Sequence, residues 1–113
     1  MTTVTIGIDS TDDTKARMRR AFAGNAQGAF ISFPSIELLW KVITPRRCEM
    51  LRAIAGAGPL AIRAIARRTG KDVKTVHGDV QVLLSAGVLH RTEDGQVLFP
   101  YDTVHVDFVM KAA

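Results

Sequence analysis

Between Thr44 and Gly87 the chain is cut by its own punctuation into three helical segments, and a single residue separates the last two. Thr44 followed by Pro45 is a cap residue with proline at the first helical position, after which Cys48, Leu51, Ile54 and Ala55 give an apolar stripe until Gly56. Gly56-Ala57-Gly58-Pro59 is a turn. Ile62, Ile65 and Ala66 mark a second, short amphipathic helix, which Gly70 suits as a left-handed stop. Only Lys71 stands between Gly70 and Asp72, the cap of a third helix with Val73, Val76, Val80, Leu83 and Leu84 as its core stripe and Gly87 as its end. Three helices with so tight a turn between the second and third have the spacing of a helix-turn-helix.

The flanking segments read as short strands. Val88 to Arg91 and Gln96 to Phe99 are apolar-rich runs joined through Asp94-Gly95, a two-residue hairpin signal, and this hairpin is the expected wing. After Pro100, Val104, Val106, Phe108 and Met110 alternate with other residues in a final strand that needs a covering surface, from a partner subunit or partner protein. Near the N-terminus Val4, Ile6 and Ile8 alternate as in a half-buried strand. Ser10 with Asp13 resembles a capping box opening a helix to about Ala23, and Ala29 to Phe33 is a second strand. Ser35 caps a short apolar helix containing Ile36, Leu38, Leu39 and Trp40. The fold class expected is α+β, a winged helix-turn-helix over 34–113 preceded by a strand-helix-strand extension over 1–33 that serves for dimerisation or partner binding.

At 113 residues, one domain with a modest appendage is all that fits. No apolar run is long enough to span a bilayer and the N-terminus lacks the order of a secretory signal, so a cytoplasmic protein is expected. Cys48 is the only cysteine, and His77, His90 and His105 have no zinc-ligand spacing, so neither a metal nor any other cofactor is expected. Lys and Arg total 15 against 11 Asp and Glu. The excess is local: the segments Met1 to Trp40, Lys41 to Arg91 and Thr92 to the end carry net charges of 0, +7 and −3. The helical middle of the chain therefore suits a polyanion.

On a helical wheel of the third helix, Lys71, Lys74, Thr75, Gly78, Gln81 and Ser85 fall opposite the core stripe. That face suits a recognition helix in the major groove of DNA: Lys donates to guanine, Gln pairs with adenine, Thr serves a phosphate or a base edge, and Gly78 lets the groove floor approach. Asp79, on the flank, is expected to accept from the backbone or from Arg68. Arg63, Arg67 and Arg68 on the second helix and Arg46 and Arg47 in the first turn of the helix before it are phosphate candidates. Arg46 and Arg47 oppose the dipole of their own helix, which an anion would relieve. Arg91 ends the first wing strand within reach of a phosphate or the minor groove, although Glu93 and Asp94 make the tip acidic. His77 is expected to be half-buried and bonded to a neighbour, Trp40 to be a core or dimer contact, and Cys48 to be an inert core residue. No carboxylate pair, nucleophile with base or phosphate loop is present, so an enzyme is not expected.

The stretches FPSIELLWKVITPRRCEMLRAI, GPLAIRAIARRTGKDVKTVHGDVQVLLSAGVL and DGQVLFPYDTVHVDFVM, and above all Asp72-Val73-Lys74 with Val76-His77-Gly78-Asp79-Val80, resemble the MarR-like winged-helix DNA-binding proteins of bacteria and archaea. Bacterial members are often encoded beside a small TumE-type toxin. The resemblance implies a sequence-specific transcriptional regulator, an antitoxin that represses its own operon, with double-stranded operator DNA and a cognate toxin as partners. A homodimer is expected because a two-fold pair reading two half-sites roughly doubles the contact free energy. The alternatives are a ligand-controlled MarR-like repressor without a toxin, and a winged-helix module that binds protein.

Overall fold

The computed structural model describes residues 2–8, 29–108 and 112. Its element order is β1 (Thr3–Ile8), β2 (Ala29–Phe33), α1 (Ile36–Val42), α2 (Pro45–Ile54), α3 (Ile62–Thr69), α4 (Val73–Ser85), β3 (His90–Arg91), β4 (Val97–Leu98) and β5 (Thr103–Asp107). The class is α+β, and no described helix is long and apolar enough to cross a membrane. The helix expected from Ser10 to Ala23 lies outside the described residues, as does Met110 of the final strand.

Local chemistry sets the helix ends. The Ser35 hydroxyl accepts from the Leu38 N–H at 3.2 Å, and the Thr44 hydroxyl from the Arg47 N–H at 3.2 Å with Pro45 behind it. Gly70 takes φ +69° and donates its N–H to the Ala66 carbonyl at 2.9 Å, so the chain turns at once into α4. The Asp72 carboxylate receives the Thr75 N–H at 2.7 Å. Hydrogen bonding from Thr75, by its side chain first and its backbone N–H second, holds the Asp72 pKa below its ordinary value.

The apolar faces of these helices meet in one core. Leu39 of α1, Met50, Leu51 and Ile54 of α2, Ile65 and Ala66 of α3, and Val76, Val80 and Leu83 of α4 are buried together with Val88, Leu89, Val97 and Phe99 of the hairpin region. Val73, expected in the core stripe, is 47% exposed. It is the first residue of its helix, with no preceding turn to pack beneath it. Trp40, expected as a core or dimer contact, is half exposed and packs edge-on against Phe108 at 5.6 Å between ring centroids, while its neighbour Leu39 takes the core position. The Cys48 side chain packs partly against the core, and burial pushes its thiol pKa up.

The hairpin pairs His90 with Leu98 and Arg91 with Val97. Its turn differs from the two-residue connection expected. Gly95, at φ +83°, donates to the Thr92 carbonyl, and Thr92 N–H donates to Gln96 O, leaving Glu93, Asp94 and Gly95 as a three-residue loop. Leu60, just before α3, exchanges two 2.8 Å backbone hydrogen bonds with Val97, so the segment entering α3 forms the third strand-like edge beside β4.

The second sheet has the order β2-β1-β5 and is parallel throughout. Val4 and Ile6, fully buried, pack on α1, and Thr3 to Gly7 pair with Thr103 to Asp107. The final strand thus finds a neighbour within its own chain, one hundred residues earlier. Beside it, Gly56 N–H donates to the Tyr101 carbonyl at 3.0 Å, tying the end of α2 to the approach to β5.

Candidate nucleic-acid interface

The tight turn at Gly70 and Lys71 sets α3 and α4 against each other with one side of α4 in solvent. Lys71, Lys74, Gly78, Gln81 and Ser85 are exposed there and Thr75 is half-buried beside its cap. His77 is exposed on this helix too, where a half-buried, bonded histidine was expected, and no described group pairs with it. Nothing within 4 Å would meet a Cβ built at Gly78, so that position leaves the backbone open to a large approaching surface.

One acidic residue lies within α4, and it has left this surface. Asp79 is 2% exposed. Arg46 grips both of its oxygens, Nε to Oδ2 at 2.8 Å and Nη2 to Oδ1 at 2.7 Å, and Arg47 Nε reaches Oδ1 at 3.0 Å. Burial pushes the Asp79 carboxyl up, but the hydrogen bonds and charges of the two arginines outweigh it and hold the pKa below the ordinary carboxylate value. The same contact raises the Arg46 pKa.

This corrects two expectations. The partner of Asp79 is Arg46 with Arg47, whereas Arg68 donates to the Ala53 carbonyl at 3.3 Å. The anion that relieves two arginines at the head of α2 is the carboxylate of Asp79. Arg47, 15% exposed, also donates to the Lys41 and Val42 carbonyls at 2.9 and 3.1 Å, which holds its guanidinium largely inside the protein. Arg46, 51% exposed, keeps one side in water.

Arg63, Arg67, Arg68 and Lys71 gather around the α3–α4 turn. Arg63, Arg67 and Lys71 border an open groove whose floor includes Ala66, Gly70 and the exposed Val73. Arg46, Arg68 and Lys71 border a neighbouring cleft of about 190 Å³ with Glu49 and the Arg46-paired Asp79 on its wall. Lys71 belongs to both, so the basic surface is continuous from α3 to the start of α4. Arg91 is exposed on the hairpin and donates to the Gly95 carbonyl at 3.1 Å, across a tip where Thr92 also holds Asp94. At the far end of α4, Gln81 and Ser85 slope into an apolar depression of about 560 Å³ lined by Phe33, Leu38, Val42 and Val82. Among the described residues no group of His, Cys, Asp or Glu is placed to hold a metal ion.

Sequence reasoning missed Val73 as a surface residue because its apolar character fitted the core stripe, and missed the depression because its walls come from distant segments. No curated protein and no solved structure matches the chain. A family model does match residues 42–106, from the end of α1 into β5, and with this match over more than half its length the chain belongs to the HVO_A0114 family.

Proposed function

We propose that the protein is a sequence-specific regulator of transcription that binds double-stranded DNA through a winged helix-turn-helix, with α3 and α4 as the helix pair and β3–β4 as the wing. The observation that carries this reading is the solvent face of α4. It presents Lys74, Thr75, Gly78 and Gln81 with no carboxylate among them, because the one acid in the helix is drawn inward and neutralised by Arg46 and Arg47. Such a face meets a phosphate-lined groove without repulsion, and its side chains donate to base edges. Val73 adds an apolar contact of the kind that a thymine methyl accepts. Arg63, Arg67, Arg68 and Lys71 supply phosphate contacts around the turn, with the free side of Arg46 behind them, and Arg91 supplies one from the wing.

Two copies on a two-fold operator complete the reading, and the resemblance to the MarR-like proteins supplies its biological setting, an antitoxin that represses its own operon in partnership with a toxin. A gel shift with the region upstream of its own gene tests it. A retarded band that survives competitor DNA is expected, and with about six to ten phosphate contacts in the dimer the logarithm of affinity falls with that of salt at a slope near −5 to −9. Absence of the band, or affinity indifferent to salt, overturns it.

A ligand-controlled repressor is the second reading, favoured by the apolar depression that ends at Gln81 and Ser85 of α4. A small apolar effector seated there touches the recognition helix itself. If this reading holds, an effector that shifts operator affinity loses that effect when Val82→Trp fills the depression.

A further inference from the structure

Among the described residues, the β2-β1-β5 sheet stops on one side at a strand that is exposed along its whole length. Thr103 N–H donates to the Thr2 carbonyl at 3.1 Å, and alternate residues of a strand turn their backbone groups to the same neighbour. Thr103, His105 and Asp107 therefore bond β1, and Val104 and Val106 direct their N–H and C=O groups away from it. The side chains of these two valines are also exposed, Val106 at 45%, on the sheet face shared with Val4 and Ile6. Trp40 reaches toward the same edge from α1 to meet Phe108. β5 has neither the lysine nor the proline that commonly blunts a sheet edge.

We propose that β5 seats a second copy of this chain, the two strands running antiparallel about a two-fold axis at Val106, so that two three-stranded sheets become one of six. The choice of partner comes from self-complementarity. Only residues with outward backbone groups can exchange hydrogen bonds; an axis at Val104 would set Thr103 against His105 and Asp102 against Val106 and gain no charge pairing, which leaves two further registers. One sets His105 against His105 of the other copy and leaves Asp107 opposite Thr103. The other sets Val106 against Val106 and Val104 against Phe108, and opposes His105 to Asp107 twice, at the positions between hydrogen-bonded pairs where side chains come closest. An isologous contact needs a surface that complements itself, and the second register meets that need in charge and in apolar contact.

This deepens the regulator reading and rests on it only for the use of two copies at an operator, so its test is made without DNA. Sedimentation of the full chain over a concentration series is expected to show a monomer–dimer equilibrium. Val106→Lys puts two like charges on the axis and should leave a folded monomer at every concentration, melting where the wild type melts at dilutions at which it too is monomeric, since the side chain is half in water. His105→Asp opposes carboxylates twice and should weaken the dimer roughly tenfold, and adding Asp107→His should restore it. A wild-type chain that stays monomeric, a Val106→Lys dimer, or a double exchange that does not restore association overturns the interface. Operator binding is scored separately: half-site binding by a monomer would overturn this interface while leaving the DNA-binding reading in place.

Discussion

Replacing Asp79 by Asn keeps the shape of the side chain and removes the charge that both α2 arginines hold. The two arms do not weigh equally. Arg46 is 51% exposed and can turn its guanidinium into water, so its loss of partner is largely made good by solvent. Arg47 cannot: it is 15% exposed, and its Nη1 stays fixed on the Lys41 and Val42 carbonyls while Nε loses its acceptor. Orphaning one partner of a fully buried pair costs about 3–5 kcal/mol, and re-solvation of Arg46 brings the expectation here to about 2–3 kcal/mol. For a chain of this length that is a fall in Tm of roughly 10 °C. Thermal unfolding of wild type, Asp79→Asn, Arg47→Leu and the double variant at neutral pH gives the coupling between the two positions directly. A loss below about 0.5 kcal/mol for Asp79→Asn, or additive effects in the cycle, would refute the claim that α4 is held to α2 by this contact.

Three further outcomes follow from the geometry. Lys74→Ala should weaken operator binding by about 1–3 kcal/mol in a fluorescence titration and leave Tm nearly unchanged, because the residue is exposed and touches no core side chain. Gly7→Ala should destabilise by about 1–3 kcal/mol in denaturant unfolding, since a Cβ there would lie 2.6 Å from the Asp107 carbonyl oxygen and 3.1 Å from the Phe30 ring, forcing β1 and β5 apart. Asp72 and Asp79 have folded pKa values below their ordinary 3.8, so the stability they contribute is present above that pH and is lost as pH falls through the lower folded values. A chain whose unfolding free energy held constant from pH 5 to about pH 2 would contradict both contacts.

The helical part was legible because its boundaries are written locally. Thr44-Pro45, Gly70 and Asp72 each act on backbone groups within four residues, and the structure finds each in its capping role. The same holds for β1 and β2, whose strands stand where the alternation of Val4, Ile6 and Ile8 and the run Ala29 to Phe33 put them. What could not be read depends on residues that meet only after folding. Nothing near Asp79 announces that arginines 32 and 33 positions earlier will take it, so the sequence pointed to Arg68 as its partner instead. The pairing of β5 with β1 has no local signal either, since a strand's alternation specifies a face and not a neighbour. Val73 and His77 went astray for a different reason: a helical wheel gives the direction of a side chain but not how far the packing partner extends beneath it.

The register that sets Thr3 beside Thr103 also imposes an order of events on a growing chain. The helices from α2 to α4 depend on nearby sequence and form on the microsecond scale as soon as they are free to do so, whereas β1 must wait for a partner synthesised some seconds later at about 5–20 residues per second. Until then its inner strand has one open side, and the outer edge offered by β5 does not exist. Closing a loop of this span is entropically slow but only slightly costlier than closing one half as long. A nascent chain thus gains its basic helical surface first and its strand edge last. The self-association proposed for that edge would thereby be deferred until the sheet beneath it has closed.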